Sequence, residues 1–229
     1  ESTGAAARLE KVMTAADYQV GSRSIAFYRL PLPDNAKTYE SRLKTKQRNN
    51  IRRYRKQLSG QEDLRLKNLR DLMSPEEVFT VLENLHSQRW LSKGETGAFE
   101  RNPKFREFLK AYTVRASKLG QIAAFCLFQG PKPIAIRFGF TYNNTMYEIQ
   151  SGFDPSLNGA GLASIDMAIK AAISDHLEVY DFLAFEGEYK QRFGAIKKPG
   201  KRLFAIKNNL LGWLVTRAGL WPTGRYIQM

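Results

Sequence analysis

Three short apolar segments between residues 121 and 153 constrain the fold of this chain more than any other feature. They read QIAAFCLFQ (121–129), KPIAIRFGFTY (132–142) and TMYEIQSGF (145–153), and each has the length and the apolar and aromatic content of a strand. The dipeptides Gly130-Pro131 and Asn143-Asn144, which favour tight turns, link the segments. The sequence therefore predicts an antiparallel three-stranded meander.

The segments on either side of this meander alternate between strand and helix patterns. Ahead of it we expect a strand, a helix, a second strand and two helices: 22–30, 37–58, 63–70, 75–91 and 103–118. Behind it we expect a helix, a strand, a short helix and a last strand: 160–175, 177–183, 186–193 and 201–207. We divide the chain into a lead-in with the first strand (1–36), a main domain (37–207) and an apolar helical tail (208–229). No internal repeat or low-complexity linker interrupts these elements, so a single α/β domain is expected.

The charge balance narrows the class of partner. The net charge is +14 at pH 7, which favours anionic partners such as nucleic acid, a phosphorylated cofactor, an acidic polymer or a lipid headgroup. The single cysteine, Cys126, lies in an apolar strand and excludes an intrachain disulfide, and two histidines without a carboxylate cluster predict no metal. No signal peptide or bilayer-length apolar run is seen, so we expect a cytoplasmic protein, with a peripheral position on the inner face of the membrane left open. A first residue of Glu1 instead of Met indicates a fragment or a processed product.

The meander runs directly into a glycine-rich turn, SLNGAG (156–161), and then into an amphipathic helix. Backbone N–H groups at a helix N-terminus bind phosphates, and glycines let the backbone approach them without a Cβ clash. An ordinary strand-to-helix turn would show the same six residues, so both interpretations stay open at this point.

The element order and this turn resemble the GNAT superfamily of N-acyltransferases. In that family the turn after the third meander strand holds the pyrophosphate of acyl-CoA, in the pattern Gln or Arg, two residues, Gly, one residue, Gly or Ala. Gly159 and Gly161 match the pattern, whereas Ser156 stands where Gln or Arg is usual. A second resemblance rests on RNNIRRYRKQL (48–58), LHSQRW (85–90), TGAF (96–99) and YDFLAFEGEYKQRFG (180–194). Together they resemble a GNAT branch found with cellulose and exopolysaccharide biosynthesis and related to Fem-type aminoacyl transferases.

The resemblance implies a mainly antiparallel sheet flanked by helices and an attack by a neutral amine on the thioester of acetyl-CoA or another acyl-CoA. The third meander strand would diverge from the next parallel strand and bind the acyl carbonyl and the pantetheine arm through Ile149 and Ser151. The turn would bind phosphates through Asn158, Gly159, Ala160 and Gly161, with Lys190 contacting a phosphate or the thiolate.

Two residues are implied to act on protons. Tyr189 would protonate the departing thiolate, or it anchors its helix by packing. Glu148 would act as the base, directly or through water, or it is an ion-paired residue. Strand alternation places Glu148 on the face opposite Ile149.

The acceptor side is expected to involve His86, Arg89 and Trp90 on one helix. The basic run between Arg42 and Lys56 holds eight Lys or Arg residues and no acid, with Arg52, Arg53 and Arg55 at its centre. We expect this run to lie apart from the glycine-rich turn and to face the acceptor. Three partners stay open: an acidic glycan or lipid headgroup, the acceptor stem of a charged tRNA, or an anionic membrane reached together with the tail. A Fem-type aminoacyl-tRNA-dependent transferase and a non-catalytic anion- or RNA-binding module are therefore the alternative functions.

Overall fold

A computed structural model describes residues 2–60, 62–184 and 187–217, and its strands form one mixed sheet. In chain order they are β1 (Tyr18–Pro31), β2 (Leu64–Asn68), β3 (Ile122–Gln129), β4 (Lys132–Tyr142), β5 (Thr145–Phe153), β6 (Val179–Ala184) and β7 (Ile196–Lys207). The strand order is β2-β3-β4-β5-β6-β1-β7. The pairs β2–β3, β3–β4 and β4–β5 are antiparallel and β5–β6 is parallel. The expected α/β fold and the meander are confirmed.

The helices expected over 75–91, 103–118 and 160–175 are present, with ends that agree to within one residue. They are α1 (Ser2–Ala15), α2 (Ala36–Arg42), α3 (Thr45–Leu58), α4 (Pro75–Leu91), α5 (Ala98–Arg101), α6 (Pro103–Lys118), α7 (Ala160–Ser174), α8 (Glu188–Arg192) and α9 (Leu210–Arg217). Ser74 and Glu77 form a reciprocal capping box at the start of α4. The single helix expected over 37–58 is wrong, because the chain is extended at Leu43, whose side chain is buried, and α3 starts afresh at Thr45. Of the expected tail, residues 218–229 lie outside the described residues.

The chain divides into two compact units. The larger one comprises Tyr28–Leu183 and Gly187–Ile196, and it contains every residue discussed below as part of a site. Its sheet buries one apolar cluster that includes Phe79, Leu82 and Phe138, and a second that includes Leu127, Ile134 and Ala163. In the smaller unit, the backbone N–H of Asn208 donates to the carbonyl of Asp17 at 2.9 Å.

A β-bulge at Ile149 sets which side chains share a face of β5. Gly139 pairs with Glu148 and Phe138 pairs with Gln150, so Ile149 has no partner on β4. Pairing resumes with Ser151 opposite Arg137, which itself forms an ion pair with Glu148. Glu148 and Ser151 therefore share one face and Ile149 lies on the other. This corrects the strict alternation expected from the sequence, which grouped Ser151 with Ile149.

The strands β5 and β6 pair only briefly before they diverge. Their parallel register covers Thr145–Tyr147 against Val179–Asp181, and within the described residues β5 has no partner on β6 from Glu148 onward. The expected divergence is confirmed. On one face of the sheet, β5 packs closely against α4. A Cβ on Gly152 would collide with the backbone at Leu85 and His86.

Candidate functional site

An open cleft of about 360 Å³ lies where the N-terminus of α7 meets the unpaired part of β5. Its walls include Arg89 from α4, Arg137 from β4, Phe153 from β5 and Tyr189 from α8. The turn before α7 contributes Asn158, Gly159 and Gly161 to the same walls. We refer to this space as the α7 cleft. It brings together five residues that the sequence analysis named separately: Arg89, Asn158, Gly159, Gly161 and Tyr189.

The turn before α7 is held by its own side chains. Asp154 accepts hydrogen bonds from the backbone N–H of Ser156 at 3.0 Å and from its hydroxyl at 2.6 Å, and it forms an ion pair with Lys132 at 2.6 Å. Ser156 is thus engaged within the turn. Ala160 is also engaged, since its N–H donates to the carbonyl of Leu157 at 3.1 Å. Of the four turn residues expected to bind phosphate, Ala160 therefore has its N–H directed into the turn.

Both glycines of the turn are required by close contacts. Gly159 is the N-cap of α7 with φ of 85°, a left-handed conformation, and a Cβ there would meet the ring of Tyr54 on α3. A Cβ on Gly161 would lie 3.0 Å from the ring of Phe153. The N–H groups of the first turn of α7 have no intrahelical acceptors and carry the positive end of the helix dipole. The arrangement can therefore hold an anion at the mouth of the cleft.

Arg89 adds a positive charge to the cleft. Its Nη1 donates to the Ser151 hydroxyl at 3.1 Å, and its guanidinium lies 5.1 Å from the ring centre of Phe153. The buried Nε has no hydrogen-bond partner among the described residues, and no carboxylate there lies within ion-pair distance. Burial and the charge of Arg137 lower the pKa of Arg89, while Tyr189 and Glu148 oppose them. A partly buried cation whose Nε lacks a partner in this part of the chain favours an anionic ligand.

The second cleft arginine is neutralised internally. Arg137 is 3% exposed, and its Nη1 lies 3.1 Å from Glu148 Oε1. It also donates to the Ser164 hydroxyl and to the Gly161 carbonyl, at 3.0 and 2.7 Å. Burial opposes the charge of Arg137, but the Glu148 carboxylate together with Tyr189 and Tyr180 outweighs burial, and the pKa of Arg137 is raised. Arg137 therefore ties β4 to the first turn of α7.

Glu148 is engaged through both carboxylate oxygens. Oε1 accepts from Arg137, and Oε2 accepts from the Tyr180 hydroxyl at 2.6 Å. Burial and the Glu148 charge raise the pKa of Tyr180 well above its ordinary value, so this phenol stays protonated. Each bond occupies one of the two acceptor positions of its oxygen, so a role for Glu148 as a base would use a remaining position.

Tyr189 and Lys190 are neighbours in sequence but face different surroundings. Tyr189 lines the α7 cleft, and burial together with the Glu148 charge raises the pKa of Tyr189, which keeps the phenol able to donate. The Lys190 ammonium donates to the carbonyl of Phe182 at 3.0 Å and lies 5.2 Å from the ring centre of Tyr28. Burial lowers the pKa of Lys190. The structure directs Lys190 to this carbonyl, and it is not among the residues that line the cleft.

His86 joins two of the sequence motifs. It is 1% exposed, its Nδ1 donates to the Ser151 carbonyl at 3.1 Å, and its Nε2 accepts from the N–H of Ala98 at 3.1 Å. Its ring packs 4.7 Å from that of Phe99, and Gly97 leaves room for it, so LHSQRW and TGAF meet here. Burial lowers the pKa of His86. Both ring nitrogens are engaged, which leaves neither for a substrate.

Trp90 lies next to Arg89 and among other cations. The charged groups of Arg89, Lys93 and Arg101 lie 5.5, 5.1 and 5.3 Å from its ring. Its buried Nε1 has no hydrogen-bond partner among the described residues. Cation–π contacts on this ring hold Arg89 in place from one side while Phe153 does so from the other.

The basic helix α3 lies against the glycine turn, not apart from it. Tyr54 contacts Gly159, and the guanidinium of Arg53 stacks 4.7 Å above the Tyr54 ring. Arg52 and Arg55 instead line a cavity of about 90 Å³ with Glu40, Asp166 and Lys170. The expected separation of the basic run from the turn is therefore wrong, because α3 packs against α7.

Three further observations complete the description of the larger unit and its surroundings. Burial raises the pKa of the Cys126 thiol to about 12, which makes it a poor nucleophile. In the described part of the chain, no three His, Cys, Asp or Glu residues come together as metal ligands. Over the same residues, none of the helices has the length and apolar character needed to cross a membrane.

Sequence reasoning missed Arg137 and Tyr180, which hold Glu148. The signal was present for Arg137: a charged residue at the centre of the apolar segment IAIRFGF is buried and needs partners. The partners could not be found from the sequence. Those of Arg137 come from β5 and α7, and the second partner of Glu148, Tyr180, comes from β6.

The site thus combines two parallel strands that diverge, a glycine-capped helix beside the opening, and a tyrosine and an arginine in the opening. The family model described as acetyltransferase (GNAT) domain matches residues 45–191, and the chain belongs to this family. It is accordingly an acyltransferase. No curated protein matches its sequence.

Solved structures with the same fold are distant in sequence. FemX is 10% identical with a TM-score of 0.60, over 90% of this chain and 70% of that one. L-PGS from Bacillus licheniformis is 13% identical with a TM-score of 0.53, over 92% and 69%. The C-terminal domain of a protein named as a lysylphosphatidylglycerol synthetase from Agrobacterium fabrum is 11% identical with a TM-score of 0.52, over 96% and 72%. The chain thus spans about two thirds of the length of these structures, and the likeness is one of fold.

Proposed function

We propose that the protein transfers an acetyl or other acyl group from acyl-CoA to an amine, with the donor bound in the α7 cleft. The observation that carries this proposal is the opening of a glycine-capped helix N-terminus onto a strand whose edge is unpaired from Glu148 onward. The helix end supplies a site for phosphates, and the free strand edge supplies backbone groups for an extended amide-bearing arm. Acyl-CoA carries both features.

The donor is placed as follows. Its pyrophosphate lies against Asn158, Gly159 and Gly161 at the start of α7. Arg89 supplies the side-chain cation that the family pattern takes from the position of Ser156, which is engaged with Asp154 here. The pantetheine arm runs along the edge of β5 at Ile149 and Ser151, which has no partner on β6 among the described residues.

The chemical step transfers the acyl group without a covalent enzyme intermediate. The neutral amine nitrogen attacks the thioester carbonyl carbon, a C–N bond forms, the C–S bond breaks and its electron pair goes to sulfur. Tyr189 gives its proton to the thiolate, and its raised pKa keeps the phenol protonated until that step. The nitrogen loses its proton through water to Glu148, whose oxygens can each accept one bond beyond those from Arg137 and Tyr180.

Several further assignments belong to this proposal. Trp90 fixes Arg89 through ring contacts, and His86 fixes β5 through the Ser151 carbonyl. Lys190 ties α8 to β6 through the Phe182 carbonyl and so helps to position its neighbour Tyr189 against the donor. The proposal also takes up the cellulose and exopolysaccharide branch that the sequence resembles, a cytoplasmic location, and peripheral contact of the basic run with an anionic membrane.

A second candidate is transfer of an aminoacyl group from tRNA, as the fold shared with FemX suggests. The observation that favours it is the position of α3, whose exposed Arg52, Arg53 and Lys56 lie on the helix that contacts the glycine turn. A nucleic-acid strand would meet these charges on its way to the cleft.

Thermal unfolding with and without acetyl-CoA tests the donor. At a hundredfold excess over Kd a ligand adds about 2.7 kcal/mol, which raises the Tm of a domain of this size by roughly 5–10 °C. Gly161→Asp should abolish the shift, whereas Ser174→Asp, which places the same carboxylate at the other end of α7, should keep it. A shift with aminoacyl-tRNA and none with acetyl-CoA would replace the first candidate by the second.

A further inference from the structure

A second opening in the larger unit, of about 420 Å³, is lined almost entirely by rings and aliphatic side chains. We refer to it as the aromatic groove. Its walls include Phe108 and Tyr112 from α6, Tyr142 from β4, Ile149 from β5 and Leu183 from β6. None of the described residues that line it is charged, although the chain as a whole carries a net charge of +14. An anionic ligand finds no counter-charge among these residues.

The aromatic groove lies at the divergence of β5 and β6. Ile149 is the bulged residue of β5, and Leu183 follows the last paired residue of β6, Asp181, by two positions. Glu148 and Ser151, on the opposite face of the same stretch of β5, belong to the side of the α7 cleft, where Ser151 holds Arg89. The unpaired part of β5 thus has the α7 cleft on one face and the aromatic groove on the other.

Leu183 is held in an unfavourable backbone conformation that shapes the groove. Its φ is 57°, a left-handed value that leucine rarely adopts and that costs about 1–3 kcal/mol. The carboxylate of Asp181 accepts a hydrogen bond from the Leu183 N–H at 2.8 Å, and Asp181 is itself paired with Arg29 at 3.2 Å. Two interactions therefore maintain a conformation that places Leu183 in the groove wall.

The rings of the groove are exposed to solvent. Phe108 is 62% exposed, Tyr142 is 60% exposed and Tyr112 is 38% exposed. Phe108 and Tyr112 stack 5.9 Å apart, and the edge of Tyr112 meets Phe140 at 4.8 Å, so the rings form an ordered wall. Grouped exposed rings favour a ligand that covers them.

We infer that the aromatic groove binds the acceptor, and that the acceptor is an amine carried on an uncharged aromatic or aliphatic group. This inference rests on the proposed function, because it takes the donor to occupy the α7 cleft. The amine would reach the thioester across the unpaired part of β5. The apolar body of the acceptor would cover Phe108, Tyr112 and Leu183, and an acidic acceptor would bury its charge against a wall without cations.

Three small amines test the chemistry of the groove. Phenethylamine, phenylalanine and glucosamine share an amine, but phenylalanine adds a carboxylate and glucosamine replaces the ring by a hydroxylated sugar. Saturation-transfer NMR and calorimetry on the full chain, without donor, should show phenethylamine binding at least tenfold more tightly than the other two. Equal or tighter binding of phenylalanine or glucosamine would overturn the inference.

Variants locate the site. Phe108→Ala should weaken phenethylamine binding about tenfold through loss of ring contact. Phe108 is exposed, so its replacement leaves the core packing intact. Leu183→Asn tolerates the left-handed backbone and should have a similar effect. Leu119→Ala removes a leucine that is 65% exposed outside the groove and should change nothing. Unchanged binding in both groove variants would also overturn the inference.

The two proposals fail separately. Calorimetry with acetyl-CoA reports on the α7 cleft and should be unaffected by Phe108→Ala. Acetyl-CoA binding without preference for phenethylamine would remove the groove assignment and leave the donor assignment intact. Phenethylamine binding in the groove without acetyl-CoA binding would remove the donor and keep the groove as an amine site.

Discussion

Tyr189 shows how a single side chain acquires its role from its surroundings. Its phenol lines the α7 cleft near the Glu148 carboxylate, which disfavours a second negative charge and keeps the proton on oxygen. The sequence could name this residue from the motif EGEYKQRF, but it could not separate it from Lys190. The structure does so, because the Lys190 ammonium is committed to the Phe182 carbonyl.

We expect Tyr189→Phe to lower kcat about a hundredfold or more, the range for loss of a general acid, with little change in acyl-CoA affinity. The ring is retained, so packing of α8 should survive. Lys190→Met is the matched control. It should lower the Tm, and its effect on kcat should be smaller than that of Tyr189→Phe. Steady-state kinetics with a panel of acyl-CoA donors gives both values, and full activity in Tyr189→Phe would remove the residue from the mechanism.

At the scale of elements, the structure divides the basic run of α3 between two faces of the helix. Its cations form one run in the sequence, but the helix divides them: Arg53 stacks on Tyr54 beside the glycine turn, while Arg52 and Arg55 face Glu40 and Asp166. A helical wheel predicts two such faces but not their neighbours. The position of α3 depends on its packing with α7, which is a tertiary contact.

We expect Arg53→Glu to weaken acyl-CoA binding about three- to tenfold, because it places a negative charge next to the turn that holds the donor phosphates. Arg52→Glu, on the face turned towards Glu40, should leave donor affinity within twofold of wild type. Calorimetric titration at low salt measures both. Equal losses in the two variants would indicate a general effect of net charge on the binding of any anion.

The sequence predicted elements better than it predicted faces. The meander and the starts of α4 and α6 depend on local signals such as turn dipeptides and N-caps, and all were found. The bulge at Ile149 and the break at Leu43 were missed, since strand alternation and helical periodicity assume regular geometry. The same assumption placed Ser151 on the wrong side of β5.

At the scale of the whole molecule, His86 links global stability to pH. Its ring joins α4, β5 and the first residue of α5 in one buried cluster, and Arg89 and Arg101 face it together with the opposing charge of Glu100. Burial lowers the pKa of His86 below the value of about 6.5 expected in the unfolded chain. Stability from this group is therefore complete above about pH 6.5 and is lost as pH falls towards and through the lower folded pKa.

We expect the free energy of unfolding to decrease between pH 7.5 and 5.5 in the wild type, and to decrease less in His86→Gln. His176→Gln is the matched control, since the chain has two histidines and His176 is exposed at the end of α7. Urea unfolding at several pH values measures all three proteins. If the pH dependence disappeared in His176→Gln and persisted in His86→Gln, the effect would belong to His176 and the prediction would be wrong.

The extra residue in β5 also has a consequence for insertions and deletions. A strand repeats every two residues, and Ile149 shifts that repeat by one, so everything after it is half a period out of step with what precedes it. Removal of Ile149 would restore the regular repeat and would keep Ser151 on the same face as Glu148, because Gln150 alone would then separate them. A deletion of one codon would thus take a side chain out of the wall of the aromatic groove and leave the faces of Glu148 and Ser151 unchanged.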